Sequence, residues 1–144
     1  MKEFVIGKPF EGEFYFRETC FGFCEKNGKL LLTQKLIKNE TSLVGGGIEV
    51  GETHQSCLER EFKEETGYTV KGMKELCSVD CYWLAGGKSP MRSLAHFYVV
   101  EIGDEHSDPT EEGHEPIWVD VDQAKDLCPL PYHQKAIEYY LSLR

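Results

Sequence analysis

At 144 residues with 40% apolar content, the chain can fill one good core, and no stretch of linker composition divides it, so residues 1–144 read as a single domain. A formal charge of −9 opposes binding to a nucleic-acid polymer, which depends on Lys and Arg set against phosphates, and a polyanionic substrate would need a metal bridge. Met1-Lys2-Glu3 leads into no long apolar run, so neither a signal peptide nor a membrane span is expected and the cytoplasm is the expected compartment.

Phe14 to Cys24 is rich in aromatic residues, and Asn27-Gly28 separates it from Lys29 to Gln34, a pattern that predicts a β-hairpin. Arg17 in its first strand is a candidate to meet a substrate phosphate or base, against the alternative of an exposed edge arginine. Lys35 to Ser42 is polar and reads as a loop, after which Leu43-Val44 leads into a turn at Gly45-Gly46-Gly47. A helix follows from about Thr53 to Thr66, because Thr53 can cap its start and Gly67 can adopt the left-handed conformation that ends it. At 100° per residue Leu58 and Phe62 project together, while Glu61 lies between Glu64 and Glu65 on an adjoining face.

Thr69 to Trp83 and Ser93 to Ile102 predict two strands joined by a loop through Gly86-Gly87-Lys88-Ser89-Pro90, which has neither the spacing nor the following helix of a P-loop. Tyr82 and Trp83, near that loop, are candidates to stack on a nucleobase, against the alternative of packing within the sheet. His96 reads as a strand histidine. Gly103 to Glu115 is acidic and reads as a surface loop, and Ile117 to Val119 as a short strand. Asp120 is expected to cap a small helix through Asp126, and Pro131 to open a final helix that turns Ala136, Ile137, Tyr140 and Leu141 inward. This order of elements fits an α+β fold with helices on the faces of a sheet.

Cys20 and Cys24, like Cys77 and Cys81, stand four apart, a spacing loosely compatible with zinc. Both pairs lie in strand-like sequence without the turn residues of a zinc knuckle, and residues four apart on a strand share a face. Core thiols are therefore expected, with neither zinc nor disulfides in a reducing compartment.

The acidic ridge is the least comfortable feature of the chain. Glu61 and Glu65 form a like-charge pair at i,i+4, worth roughly 0.2–0.5 kcal/mol of destabilisation, and Glu64 and Glu65 lie at the negative end of the helix dipole. A hard cation such as Mg²⁺ would convert that repulsion into ligation; the alternative is a solvated acidic face.

Spacing favours the metal. Gly46, five residues, Glu52, seven residues and then Arg60-Glu61-Phe62-Lys63-Glu64-Glu65-Thr66-Gly67-Tyr68 resembles the signature of the Nudix hydrolases. Leu43 to Glu52 is similar to that family's lead-in except at Val44, where proline is more usual, and the order of strands through Trp118-Val119-Asp120 is similar too. The resemblance implies a Nudix-type α/β/α sandwich with a mixed β-sheet. It implies hydrolysis of a phosphoanhydride in a nucleoside diphosphate linked to another group, with Mg²⁺ or Mn²⁺. Carried onto this sequence, it makes Glu61, Glu64 and Glu65 metal ligands or bases, with Glu61 the expected base. It adds the Gly45 carbonyl as a ligand and pairs Arg60 with Glu52 to orient the ridge. A further glutamate is expected from the loop before Trp118, with Glu112 the first candidate and Glu115 the second.

The expected partner is a small nucleotide-type substrate, with nucleoside triphosphates, including oxidised ones, as the default; whether the chain forms a homodimer stays open. The competing reading is a non-catalytic Nudix-fold nucleotide-binding or regulatory module, against which the intact ridge argues. An EF-hand lacks its alternating oxygen ligands here, and a dinucleotide fingerprint would need glycine where Val50 stands.

Overall fold

The computed structural model describes residues 1–144. Its strands are β1 (Lys2–Ile6), β2 (Tyr15–Phe23), β3 (Glu25–Lys26), β4 (Lys29–Lys35), β5 (Glu40–Gly47), β6 (Tyr68–Ala85), β7 (Ser89–His106) and β8 (His114–Asp120). The helices are α1 (His54–Thr66), α2 (Ala124–Leu127) and α3 (Pro131–Ser142), with a 3₁₀ turn at Val121–Gln123 before α2. The sheet runs β1-β6-β7-β2-β5-β4-β3, and β8 pairs with β4. β1 is parallel to β6 and β2 to β7, while the other pairings are antiparallel, so the sheet is mixed as expected.

Period-two alternation divides the core between the two faces of this sheet. Phe21 and Phe23 of β2 join Cys77, Val79 and Cys81 of β6 beneath Tyr132, Ala136 and Ile137 of α3. Cys20 and Cys24 point the other way, with Leu31, Val44 and Tyr98, beneath Cys57, Leu58 and Phe62 of α1. The cysteine pairs therefore share faces, and all six thiols are free and buried. Gly22, on the α1 side of β2, makes the close approach of α1 geometrically feasible: a Cβ there would lie 2.6 Å from Val100 Cγ2 and 2.7 Å from Phe62 Cε1.

Helix α1 ends as its sequence predicts. Ser56 N–H donates to Thr53 Oγ1 at 3.1 Å, and Thr53 N–H donates to Ser56 Oγ at 3.0 Å, closing a capping box. Gly67, at φ 78°, sends its N–H back to the carbonyls of Phe62 and Lys63. Pro131 opens α3, and Ala136 and Ile137 are fully buried, with Tyr140 and Leu141 packed at the margin of the core.

Three expectations about pairing and caps are corrected. The hairpin through Asn27-Gly28 is only two residues deep, Glu25–Lys26 against Lys29–Leu30, because β2 lies in mid-sheet with β5 and β7 on its two edges and has none left for β4. Gly45–Gly47 are not a turn: they end β5, opposite Phe21, Cys20 and Thr19, and the chain reverses only after them. Asp120 caps no helix, since its carboxylate accepts from Lys29 Nζ at 3.0 Å across the β4–β8 pair. β1, which the sequence did not announce, adds a parallel edge strand beside β6. No helix is long and apolar enough to cross a membrane.

Candidate active site

The end of β5 and the middle of α1 meet at two glycines. Gly45 has φ 150°, and a Cβ there would lie 2.1 Å from the Cys20 carbonyl, so no side chain is tolerated. At Gly46 a Cβ would lie 2.6 Å from Glu61 Oε1. The missing side chains let the helix carboxylates reach the strand backbone, where Gly45 N–H donates to Glu65 Oε1 at 2.8 Å.

Arg60 holds the ridge from one side. Its Nε and Nη2 donate to the two Glu52 oxygens at 2.7 and 2.9 Å, Nη2 also to the Gly47 carbonyl at 3.0 Å, and Nη1 to Glu61 Oε1 at 2.8 Å and Glu64 Oε2 at 3.3 Å. This fork, together with the Glu49 N–H, holds the Glu52 carboxyl down to about 2. One planar cation thus fixes the loop after β5 and two members of the ridge in a single arrangement.

Burial raises the proton affinity of Glu61, against the pull of Arg60. Glu65, 4% exposed, is likewise raised by burial, while hydrogen bonds from His114 and Gly45 oppose the shift. His114 Nδ1 lies 3.4 Å from Glu65 Oε2, and that carboxylate raises the imidazole in turn.

The loop between β7 and β8 closes the site with Glu111. Its N–H donates to the Glu64 carbonyl at 2.9 Å, using an acceptor that the helix end leaves free. Ligand atoms of Glu61, Glu64 and Glu111 lie within 4.8 Å of one another, as do those of Glu65, Glu111 and His114. Glu112, one residue on, points to a separate surface hollow with Lys35, Ile37 and Lys38, and Glu115 lies opposite Gln34 on an exposed part of β8. The structure therefore brings Glu111, not Glu112 or Glu115, to the ridge. Sequence reasoning missed Glu111 and His114; the acidic run announced a carboxylate but not which of two neighbours turns inward.

The donor set suits a hard divalent ion: three carboxylates at the ridge, with the Gly45–Gly46 backbone close by, and no thiolate. Mg²⁺ or Mn²⁺ fits these residues.

A cleft opens beside the ridge, from Gly45, Gly46 and Glu65 past Arg17 and Phe21 to Tyr132 and His133 of α3. His133 is fully buried, edge-on to Phe21 at 4.2 Å, and neither ring nitrogen has a hydrogen-bond partner in the protein. Burial pushes it down to about 3, so it stands neutral, with one donor and one acceptor unclaimed. Arg17 lines this cleft, whereas Tyr82 and Trp83 do not. Tyr82 packs with Phe10, Phe14 and the Arg92 guanidinium, and Trp83 donates to Ser93 Oγ at 2.9 Å while packing on the back of Tyr132.

The family model described as NUDIX domain matches residues 18–141. The chain is 32% identical over 80 residues to a putative mutator protein MutT4 of Mycobacterium tuberculosis, covering 56% of this chain and 32% of that protein. It is 26% identical over 114 residues to an NAD-capped RNA hydrolase NudC of Vibrio atlanticus, covering 77% of this chain and 40% of that one. The chain thus spans well under half the length of these curated relatives. Among solved structures, a MutT protein from Bacillus halodurans superposes with a TM-score of 0.71 at 21% identity, covering 87% of this chain and 82% of that one. A MutT NUDIX hydrolase from Burkholderia pseudomallei gives 0.66 at 24% identity, covering 86% and 97%. At those identities the structural likeness concerns the fold alone.

Proposed function

The chain belongs to the NUDIX family, and from that premise we propose that residues 1–144 act as one domain that hydrolyses a phosphoanhydride bond in a small nucleotide, with Mg²⁺ or Mn²⁺ held at the acidic ridge. The observation that carries this reading is the convergence of Glu61, Glu64 and Glu111 within 4.8 Å beside a strand end that is stripped of side chains. A solvated helix face would have no need of Gly46 against Glu61 or of Arg60 forked across Glu52.

Glu61, Glu64, Glu65 and Glu111, with the Gly45 carbonyl, are the groups that would hold the ion. Bound there, a divalent ion supplies charge neutralisation on phosphate oxygens and lowers the pKa of a water enough for attack near neutrality. Glu61 takes the proton from the attacking water: burial raises its proton affinity, and Arg60 Nη1 fixes its orientation. Arg60 and Glu52 position the ridge and do not touch the reacting atoms. Arg17, at the cleft wall, offers a fork to a phosphate or base.

The named activities of the relatives frame the substrate test. A panel of nucleoside triphosphates, oxidised forms among them, and dinucleotides of the NAD type should be incubated with Mg²⁺, with products identified to show which phosphorus is attacked. The reading expects cleavage of a phosphoanhydride in at least one nucleotide and none after metal removal. Nucleotide binding without turnover across the panel would favour the non-catalytic module instead.

A further inference from the structure

On the α1 side of the sheet, but away from the ridge, a second cluster of metal-ligating groups stands ready. Glu18 on β2, His96 on its parallel neighbour β7 and His54 at the first residue of α1 each bring one ligand atom within 4.8 Å of the others. Glu18 Oε2 lies 2.7 Å from His96 Nε2, and the rings of His54 and His96 face each other with centroids 4.3 Å apart. His54 Nδ1 shares a 2.6 Å hydrogen bond with the hydroxyl of Tyr98, a buried residue on the same face of β7.

We propose that Glu18, His54 and His96 form a second metal site, separate from the acidic ridge, that takes a borderline transition ion of the zinc class and leaves its remaining position to water. The chemistry of the donors sets the class. Two imidazole nitrogens and one carboxylate oxygen suit Zn²⁺ and its first-row neighbours, whereas Glu61, Glu64 and Glu111 at the ridge present carboxylate oxygens alone and suit Mg²⁺ or Mn²⁺. Tyr98 is placed to supply the outer hydrogen bond that such a ligand needs: in the tautomer that donates Nδ1–H to the phenolic oxygen, Nε2 of His54 is free to ligate. Burial and the adjoining His96 hold His54 below the usual imidazole range, so the ring does not need to shed a proton to ligate. The positive end of the α1 dipole works against a bound cation there, but equally against an imidazolium.

Geometry allows the ion. Bonds of about 2.1 Å in a tetrahedral arrangement separate ligand atoms by roughly 3.4 Å, so the 2.7 Å contact of Glu18 with His96 has to open by well under an ångström. The Glu18 side chain is 41% exposed, which gives the site an entry path from solvent and slack to move. Seven residues along α1, roughly 10 Å of rise, separate His54 from Glu61, so the two sites are distinct. A metal here would tie the start of α1 to β2 and β7. The loop from Ile48, whose N–H already donates to the Glu18 carbonyl at 3.1 Å, would be tied with it.

The test uses the full chain, stripped of metal and then dialysed against Zn²⁺ or Co²⁺ with millimolar Mg²⁺ present to occupy the ridge. The expected result is one equivalent of Zn²⁺ retained, a melting temperature that climbs with Zn²⁺ concentration, and a Co²⁺ visible spectrum of nitrogen and oxygen ligation without a thiolate charge-transfer band. His54→Ala and His96→Ala should each weaken Zn²⁺ binding at least tenfold, Tyr98→Phe by a smaller factor, and Mg²⁺-dependent turnover of zinc-free His96→Ala should match the parent. His54→Gln, at the partly exposed helix start, repeats the test should His96→Ala fail to fold. Zinc that is displaced by Mg²⁺, held equally by both histidine variants, or lost in Glu64→Gln instead would overturn the proposal. A thiolate band in the Co²⁺ spectrum would do the same.

Discussion

Replacing Gly46 with alanine isolates the geometry of the ridge from its charge. The backbone at Gly46 is not in the left-handed region, so alanine is conformationally acceptable, but its Cβ would stand 2.6 Å from Glu61 Oε1 and 2.9 Å from Glu61 Cδ. Restoring ordinary contact moves the carboxylate by roughly 0.8 Å. The carboxylate is the far end of a flexible side chain, so the move itself is cheap, and lower chain entropy in the unfolded state offsets part of it. The net change in stability should stay below about 1 kcal/mol. The same displacement lengthens the 2.8 Å bond from Arg60 Nη1 and takes Glu61 out of register with Glu64 and Glu111. Misplacement on that scale costs roughly 10- to 100-fold in rate. Gly22→Ala serves as the opposite control, since its Cβ meets Val100 and the fully buried Phe62 at 2.6–2.8 Å and should cost about 1–3 kcal/mol through overpacking. Single-turnover hydrolysis with saturating Mg²⁺, paired with thermal melts, separates the two. Parent-rate turnover in Gly46→Ala, or a loss of stability as large as that of Gly22→Ala, would refute the reasoning.

Other substitutions probe the remaining parts. Glu64→Gln and Glu65→Gln should lose most turnover and keep their melting temperature within a few degrees, whereas Leu58→Ala, at a fully buried position on the inner face of α1, should cost about 2–5 kcal/mol in denaturant unfolding. Glu52→Gln removes the carboxylate that anchors Arg60 to the loop and leaves it the Gly47 carbonyl beside Glu61 and Glu64, and titration calorimetry should show Mg²⁺ affinity falling by about tenfold or more. Because Arg60 depresses the folded-state Glu52 carboxyl from 4.5 to about 2, its contribution to stability is complete above about pH 5 and fades as pH falls toward 2. The stability gap between parent and Glu52→Gln should narrow over that window; a constant gap would count against the fork. His133, depressed from 6.5 to about 3 by burial, contributes in the same sense: stability is full above the unfolded value and is lost as pH falls through the folded one. In chemical denaturation the stability difference between parent and His133→Leu should change by about 1.4 kcal/mol per pH unit between those limits, and a constant difference would count against the burial of a neutral imidazole.

What the sequence made legible was local. Thr53 and Gly67 bracket α1 because caps act within one turn, and the faces bearing Leu58, Phe62 and the three glutamates follow from helical period alone. The α+β class and the mixed sheet were likewise readable, from element order and the family resemblance. Strand pairing was not, because the partners of β2 are not its neighbours in sequence: Asn27-Gly28 has the residues of a hairpin turn, yet β5 inserts between β2 and β4, and β7, from far along the chain, takes the other edge of β2. The same limit governed the candidate site. Spacing along one helix announced the ridge and its arginine, but the choice of Glu111 over Glu112 depends on a loop register fixed by one bond to the Glu64 carbonyl. Arg17 lies in the cleft while Tyr82 and Trp83 do not, because the alternation of β6 and the packing of Phe10, Phe14 and Tyr132 direct those two rings elsewhere. His133 and the Glu18–His54–His96 cluster carried no signal at all in sequence, since their significance rests on burial and on contacts between distant strands.

The most direct test of the central claim is single-turnover hydrolysis of a cleaved member of the nucleotide panel by metal-stripped protein, before and after Mg²⁺ is returned, in the parent and in Glu64→Gln. No phosphoanhydride cleavage by the stripped parent, full recovery with Mg²⁺, and little recovery in the glutamine variant at unchanged melting temperature is the expected result. Equal cleavage with and without metal, or a Glu64→Gln variant that recovers like the parent, would contradict a catalytic metal held by the α1 ridge.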